Sequence, residues 1–245
     1  MMVSPSQGHA IGSDADSARG EVRIARARRL VAGLGGRFSR ELGIDVDGGG
    51  KRVECWALAA TLFGNRISTR IALRTYGVLE RAGVRTIGDA GQRSWEELVS
   101  LLDDGGYVRY DYRTASRLLA LARALEERCG GRVAALGERL LEPHELEAAL
   151  GALPGWGPVT VRAFLRELRG VWPGADPPLD ERTREAARHL ELPGELAALR
   201  GLARSAGLDL RDLEAALVRL ALSHDLGRCP GGGGCVALSS GRTDP

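Results

Sequence analysis

Apolar residues recur at intervals of three and four from about residue 18 to about residue 223, the spacing of helices that each bury one face. The strict alternation of a half-buried strand is absent, as are the β-branched and aromatic runs that fill strands. The pattern predicts an all-α protein of about ten short helices, at 18–34, 37–42, 52–63, 68–82, 94–104, 114–129, 142–150, 158–168, 181–190, 195–206 and 211–223. Segment 52–63, RVECWALAATLF, is apolar almost all round and is expected as a central, buried helix. Ser94 with Glu97 forms a capping box, and the glycine pairs Gly105-Gly106 and Gly130-Gly131 close the helices before them. No fixed period repeats along the chain, which argues against a solenoid. Residues 1–18 and 230–245 are rich in Gly, Ser and Asp without a periodic apolar face, and both are expected as flexible tails.

The chain has 245 residues, 44% of them hydrophobic, enough for one large core or two small ones. No run approaches the about 18 consecutive apolar residues of a membrane span, and the first twenty residues lack the apolar centre of a secretory signal. A soluble, cytoplasmic protein with no membrane partner is expected. The net charge of +2 implies no partner by itself, so a basic surface has to come from how charges are arranged. Of the 34 cationic residues only Lys51 is a lysine, which leaves one candidate for any side-chain amine chemistry. The four cysteines, Cys55, Cys129, Cys229 and Cys235, are too scattered for a disulfide framework. Cys55 and Cys129 read as small core residues. Cys229 and Cys235 stand close together with His224 as a third nearby metal-binding type, but no metal is expected there.

The chemistry concentrates in residues 145–168, ELEAALGALPGWGPVTVRAFLREL: a short amphipathic helix, the turn Leu153-Pro154-Gly155-Trp156-Gly157, and a second helix opened by Pro158. This is a helix-hairpin-helix pattern (143–168). Its glycines let the backbone approach a partner. The amides of Gly155, Gly157 and Val159, with Thr160 on the same turn, are donors at a helix N-terminus suited to a phosphate oxygen.

Beyond the hairpin comes PPLDERTREAARHLEL, an aspartate opening an amphipathic helix. Here the sequence resembles the helix-hairpin-helix DNA glycosylase superfamily, endonuclease III type, in which LPGxG and a Gly/Pro-rich loop precede an Asp at a helix start. ECWALAATLFGNRISTRIA looks like the family's buried helix and following loop, and DYRTASRLLALARAL like its next long helix, so the likeness runs from Arg52 to Ser223. It implies two helical domains, one contiguous (52–168) and one combining 19–51 with 169–229. Double-stranded DNA then lies across the cleft between them, with the hairpin and Asp180 on the same side and a base flipped into the cleft. It also implies a monomer and a monovalent cation at the hairpin carbonyls.

Asp180 has a chemical reading of its own. Breaking an N-glycosidic bond develops oxocarbenium character on deoxyribose, which a fixed carboxylate stabilises, or for which it aligns water. A helix cap worth about 1 kcal/mol is the plainer role, and the two are compatible. Asp176 in the GADPP loop is the rival carboxylate.

Two departures from the family shape the expectation. Where its bifunctional members carry a Schiff-base lysine, this chain has Val159, and Lys51 lies far upstream on an expected loop, so a lyase step by that route is not expected. Endonuclease III relatives also carry four clustered C-terminal cysteines around an iron–sulfur cluster; two thiolates cannot hold a four-iron cube, so no such cluster is expected. By the same likeness Asn65 and Arg66 occupy the loop that inserts into the duplex. Tyr110, Tyr112 and Arg113 are read in a loop where an aromatic wedges or stacks and Arg holds a phosphate. Arg162 and Arg166 share a helix face that can meet phosphates. The expected activity is that of a monofunctional DNA glycosylase of base-excision repair. A DNA-binding or damage-sensing protein without catalysis, and a helical scaffold that never meets DNA, are the competing readings.

Overall fold

The computed structural model describes residues 10–64 and 67–239. In chain order the helices are α1 (Ala10–Leu34), α2 (Phe38–Glu41), α3 (Gly50–Phe63), α4 (Thr69–Arg81), α5 (Ile87–Gly91), α6 (Trp95–Gly105), α7 (Asp111–Cys129), α8 (Ala134–Arg139), α9 (Pro143–Gly151), α10 (Pro158–Glu167), α11 (Glu181–His189), α12 (Leu196–Ser205) and α13 (Leu210–Ser223). No strand occurs among the described residues, and the protein is all-α. No helix among them is long and apolar enough to cross a membrane.

The chain divides into two units, an inner one from Phe38 to Pro177 and a terminal one formed by the residues up to Arg37 and those from Pro178 onward. The expected boundaries at 51/52 and 168/169 therefore move. Local bonding shows why. The N–H groups of Phe38 and Ser39, opening α2, donate to the buried Glu167 carboxylate at 2.8 and 2.9 Å. Arg169 pairs with Asp176 and donates to the Pro177 carbonyl.

The inner unit is built around α3, whose residues Val53 through Leu62 are all buried. Its one acidic member explains itself. Glu54 accepts hydrogen bonds from the N–H groups of Val133 and Ala134 (3.2 and 2.9 Å), supplying acceptors to the otherwise uncapped start of α8. Burial nevertheless pushes the Glu54 and Glu167 carboxyls above the ordinary value, with these amide bonds opposing the shift. The aromatic rings Trp156, Phe164 and Trp172 follow one another at centroid distances of 4.9 and 5.4 Å. Trp56 donates its Nε1–H to the Phe164 carbonyl at 3.2 Å, tying α3 to α10.

The terminal unit packs α1, α11, α12 and α13 around Leu30, Leu190, Leu199, Leu213, Leu217 and Leu220, all fully buried. At about 1.5–3 kcal/mol per buried leucine, this cluster is the unit's main source of stability.

The capping box at Ser94 and Glu97 forms with both reciprocal bonds, 3.1 and 2.8 Å. Gly106 and Gly130 close α6 and α7 in the left-handed conformation. Other expectations are corrected. Helix α1 begins at Ala10, inside the expected tail, because extending an existing helix adds one hydrogen bond per residue without a new nucleation step. Residues 230–239 are not a free tail: they form two 3-10 turns, with Cys235 fully buried and Ala237 nearly so in the terminal core. The glycines there permit a tight wrap rather than a loose linker.

Candidate functional site

The hairpin begins where Leu150 and Leu153 accept turn bonds from the N–H groups of Leu153 and Trp156, 3.1 Å each. Gly155 adopts φ +81°, a conformation that L side chains rarely take, so the turn requires glycine. Trp156 points inward, is buried, and donates Nε1–H to Thr61 Oγ1 at 3.0 Å, which anchors the turn to α3. Anchoring Trp156 leaves Gly155, Gly157, Pro158 and Val159 exposed. Among the described residues the N–H groups of Gly155, Gly157 and Val159 have no backbone acceptor, and the first bond of this turn is that from Val161 to the Gly157 carbonyl. A cradle of unpaired amides thus faces solvent at the N-terminus of α10, where the helix dipole favours an anion.

Thr160 belongs to this turn but not to its surface. Its side chain is buried against Gly64, where a Cβ would stand only 2.0 Å from Thr160 Oγ1, so Thr160 can offer only its backbone. Asn65 and Arg66 follow Gly64 directly and lie outside the described residues.

Helix α7 runs beside the hairpin. The Arg117 side chain lies against Gly155, within 3.4 Å of the place of a Cβ, and Arg128 donates to the Ala152 carbonyl at 3.1 Å. Arg113, one turn before Arg117 on the same face, is exposed. Tyr112 and Arg113 sit in the first turn of α7 rather than in the expected loop, because α7 starts at Asp111. Tyr112 is 63% exposed and stacks on Trp95 at 5.4 Å with an interplanar angle of 20°. Sequence reasoning missed Trp95. Its signal was an aromatic directly after a helix cap, a place that periodicity assigns to no buried face. Tyr110 is half-buried at the α7 N-cap, while Tyr107 is buried and donates its hydroxyl to the Leu62 carbonyl. Arg162 is half-buried. Arg166 is corrected: it is buried over the Phe38 ring and cannot reach a phosphate.

In the terminal unit Asp180 caps α11. Its Oδ1 accepts from both the N–H and the hydroxyl of Thr183, 2.7 Å each, and Oδ2 makes no bond among the described residues. The rival Asp176 belongs to the inner unit and is engaged by Arg169, whose side chain is buried. Val159 is 66% exposed at the hairpin, and Lys51 is exposed on the first turn of α3 rather than on a loop.

The terminal unit also brings together His189, at the end of α11, His224, just after α13, and Cys229 and Cys235 beyond it. The Cys229 thiol is lowered to about 6, first by the Gly231 N–H and then by His224, whereas burial pushes Cys235 up. Cys55 is buried and Cys129 half-buried, and burial raises both thiols.

No protein-family model and no curated protein sequence matches this chain.

Proposed function

We propose that the protein is a monofunctional DNA glycosylase of the helix-hairpin-helix type, which hydrolyses the N-glycosidic bond of a damaged or mismatched base flipped out of duplex DNA. The observation that carries this reading is the exposed amide cradle of Gly155, Gly157 and Val159, against which the Arg117 side chain of α7 lies; the same helix exposes Arg113 and the Tyr112–Trp95 stack in its first turn. Unpaired N–H groups at a helix start suit a phosphodiester oxygen, Arg113 adds a cation for the backbone, and a stacked aromatic pair suits an unstacked base. Among the described residues the Pro154 and Trp156 carbonyls accept no backbone bond, which leaves them available to a monovalent cation at the hairpin.

For the chemistry, Asp180 holds one oxygen fixed by Thr183 and leaves the other open. The C1′–N bond breaks with its electron pair going to the departing base, and positive charge develops on the sugar beside the carboxylate. Water then bonds to C1′ and its proton leaves to solvent or to the base, giving the free base and an abasic site. Val159 has no amine to attack C1′, so the phosphodiester strand stays intact.

A DNA-binding protein without catalysis is the second reading, which the valine at the lyase position equally permits. A panel of duplexes, each with one lesion or mismatch, scored for base release before and after alkali, separates the two. Release with strand breaks only after alkali is the expected result. Binding to every duplex with release from none supports the second reading.

A further inference from the structure

The geometry points to a zinc site in the terminal unit, formed by His189, His224, Cys229 and Cys235, that fixes the end of the chain onto the helical core. One ligand atom from each of the four residues lies within 4.8 Å of all the others. Zinc bonds of about 2.0–2.3 Å in a tetrahedron place neighbouring ligand atoms about 3.3–3.8 Å apart. Cys235 Sγ and His224 Nε2 already stand 3.7 Å apart. Among the described residues Nε2 of His189 is closed off from solvent with no hydrogen-bond partner, and the His189 ring also lies within hydrogen-bonding reach of the Cys229 thiol, so the ring stands against a sulfur of the cluster. The two imidazoles meet edge to face at 5.8 Å, as rings sharing one ion would.

The backbone is shaped around the sulfurs. N–H groups of Gly231 and Val236 serve Cys229, and those of Ala237 and Leu238 serve Cys235, which is how outer-shell donors hold metal thiolates. Gly231 has φ +72°, and a Cβ there would stand 2.7 Å from the His189 carbonyl oxygen. The PGGGG stretch is therefore the path by which the chain passes close over α11 to bring Cys235 into place.

The donor set decides which metal group fits. An iron–sulfur cube takes four thiolates on four separate irons, and only two thiolates are present. A two-iron cluster with two histidines places its thiolates on one iron and its imidazoles on the other, whereas here a sulfur and an imidazole nitrogen are immediate neighbours. Two imidazoles and two thiolates around one point suit a single tetrahedral Zn2+. With all four positions taken by protein there is none left for substrate, so the ion is structural. This inference does not depend on the activity proposed above.

The test is metal analysis of the full-length protein purified under reducing conditions, followed by titration of the chelator-stripped chain with Co2+ alone. About one zinc per chain is expected, and cobalt should give tetrahedral d–d bands together with thiolate-to-cobalt charge transfer. Cys229→Ser and His189→Asn should each weaken zinc binding by at least about tenfold. Should a variant fail to fold, the wild-type cobalt spectrum still decides, as does protection of Cys229 from alkylation by Zn2+. The proposal is overturned by a metal-free chain that takes up neither ion, by a cobalt spectrum without thiolate charge transfer, by a brown protein containing iron, or by a Cys229–Cys235 disulfide.

Discussion

Thr183 holds Asp180 through a single carboxylate oxygen: its N–H and its hydroxyl both donate to Oδ1, at 2.7 Å each. Structure and chemistry therefore reside on different atoms of one side chain. Asp180→Asn retains a capping oxygen, and asparagine caps helices about as well as aspartate, so folding stability should be little changed. Base release should fall by at least about a hundredfold, because the charge facing the oxocarbenium ion is gone. DNA affinity should hold or improve with one negative charge fewer. Asp180→Ala should in addition cost about 1 kcal/mol of stability. Undiminished release by the asparagine variant removes Asp180 as the catalytic group and makes Asp176 next to test.

Gly157 offers a cleaner probe of the hairpin than Gly155. Its φ of −79° is open to any residue, and a Cβ there meets nothing within 4 Å. Gly157→Leu should keep its thermal midpoint but hold a nearby phosphate off the amides, weakening binding to all duplex sequences alike. Binding isotherms on unrelated duplexes check this, and an unchanged affinity would show that the backbone does not approach DNA there.

Tyr112 is mostly exposed, so Tyr112→Ala should barely alter stability while costing about 1–3 kcal/mol of affinity for DNA with an unstacked base. Fluorescence of Trp95, its stacking partner, should be quenched on binding. Arg113→Ala should lower the salt dependence of binding by about one phosphate contact. A Tyr112→Ala protein that binds as the parent does, with Trp95 emission unmoved by DNA, argues against a stacking platform.

The buried carboxyls predict a pH effect with a definite sign. Burial raises Glu54 and Glu167 above the ordinary 4.5, so over the window from there up to their folded values the folded chain binds more protons than the unfolded one. Their contribution is complete below pH 4.5 and is lost as pH rises through the raised values. Glu54→Ala should lower stability by about 1–3 kcal/mol, through the amides of Val133 and Ala134 left without acceptors. It should also flatten the fall of stability with pH. Urea unfolding of both proteins across that window measures the difference, and a parent no steeper than the variant refutes the assignment.

A borohydride trap tests the role of Val159. No covalent enzyme–DNA adduct is expected from the parent, since a Schiff base needs an amine that this position lacks. Efficient trapping by the parent overturns the monofunctional assignment, and its loss in Lys51→Gln would point to Lys51 as the nucleophile.

The sequence by itself determined the all-α class, the central buried helix, the capping box at Ser94 and Glu97, the glycine stops at Gly106 and Gly130, and the hairpin turn. All of these rest on interactions within one helical turn or on the residue's own backbone freedom, so their signals lie at fixed short spacings. Only the tertiary structure decided which side chains those elements bury or bring together. Arg166 and Arg162 share a sequence pattern, yet only Arg166 is enclosed, because Phe38 packs beside it. Thr160 lies in an exposed turn but faces Gly64. Residues 230–239 look like a linker by composition, yet Cys235 joins the core because glycines let the chain pass over His189. His189 and Cys235 are distant in sequence, and no local period links them. They meet because α11 and α13 pack on one core, and packing is set by apolar surfaces that a linear pattern does not pair.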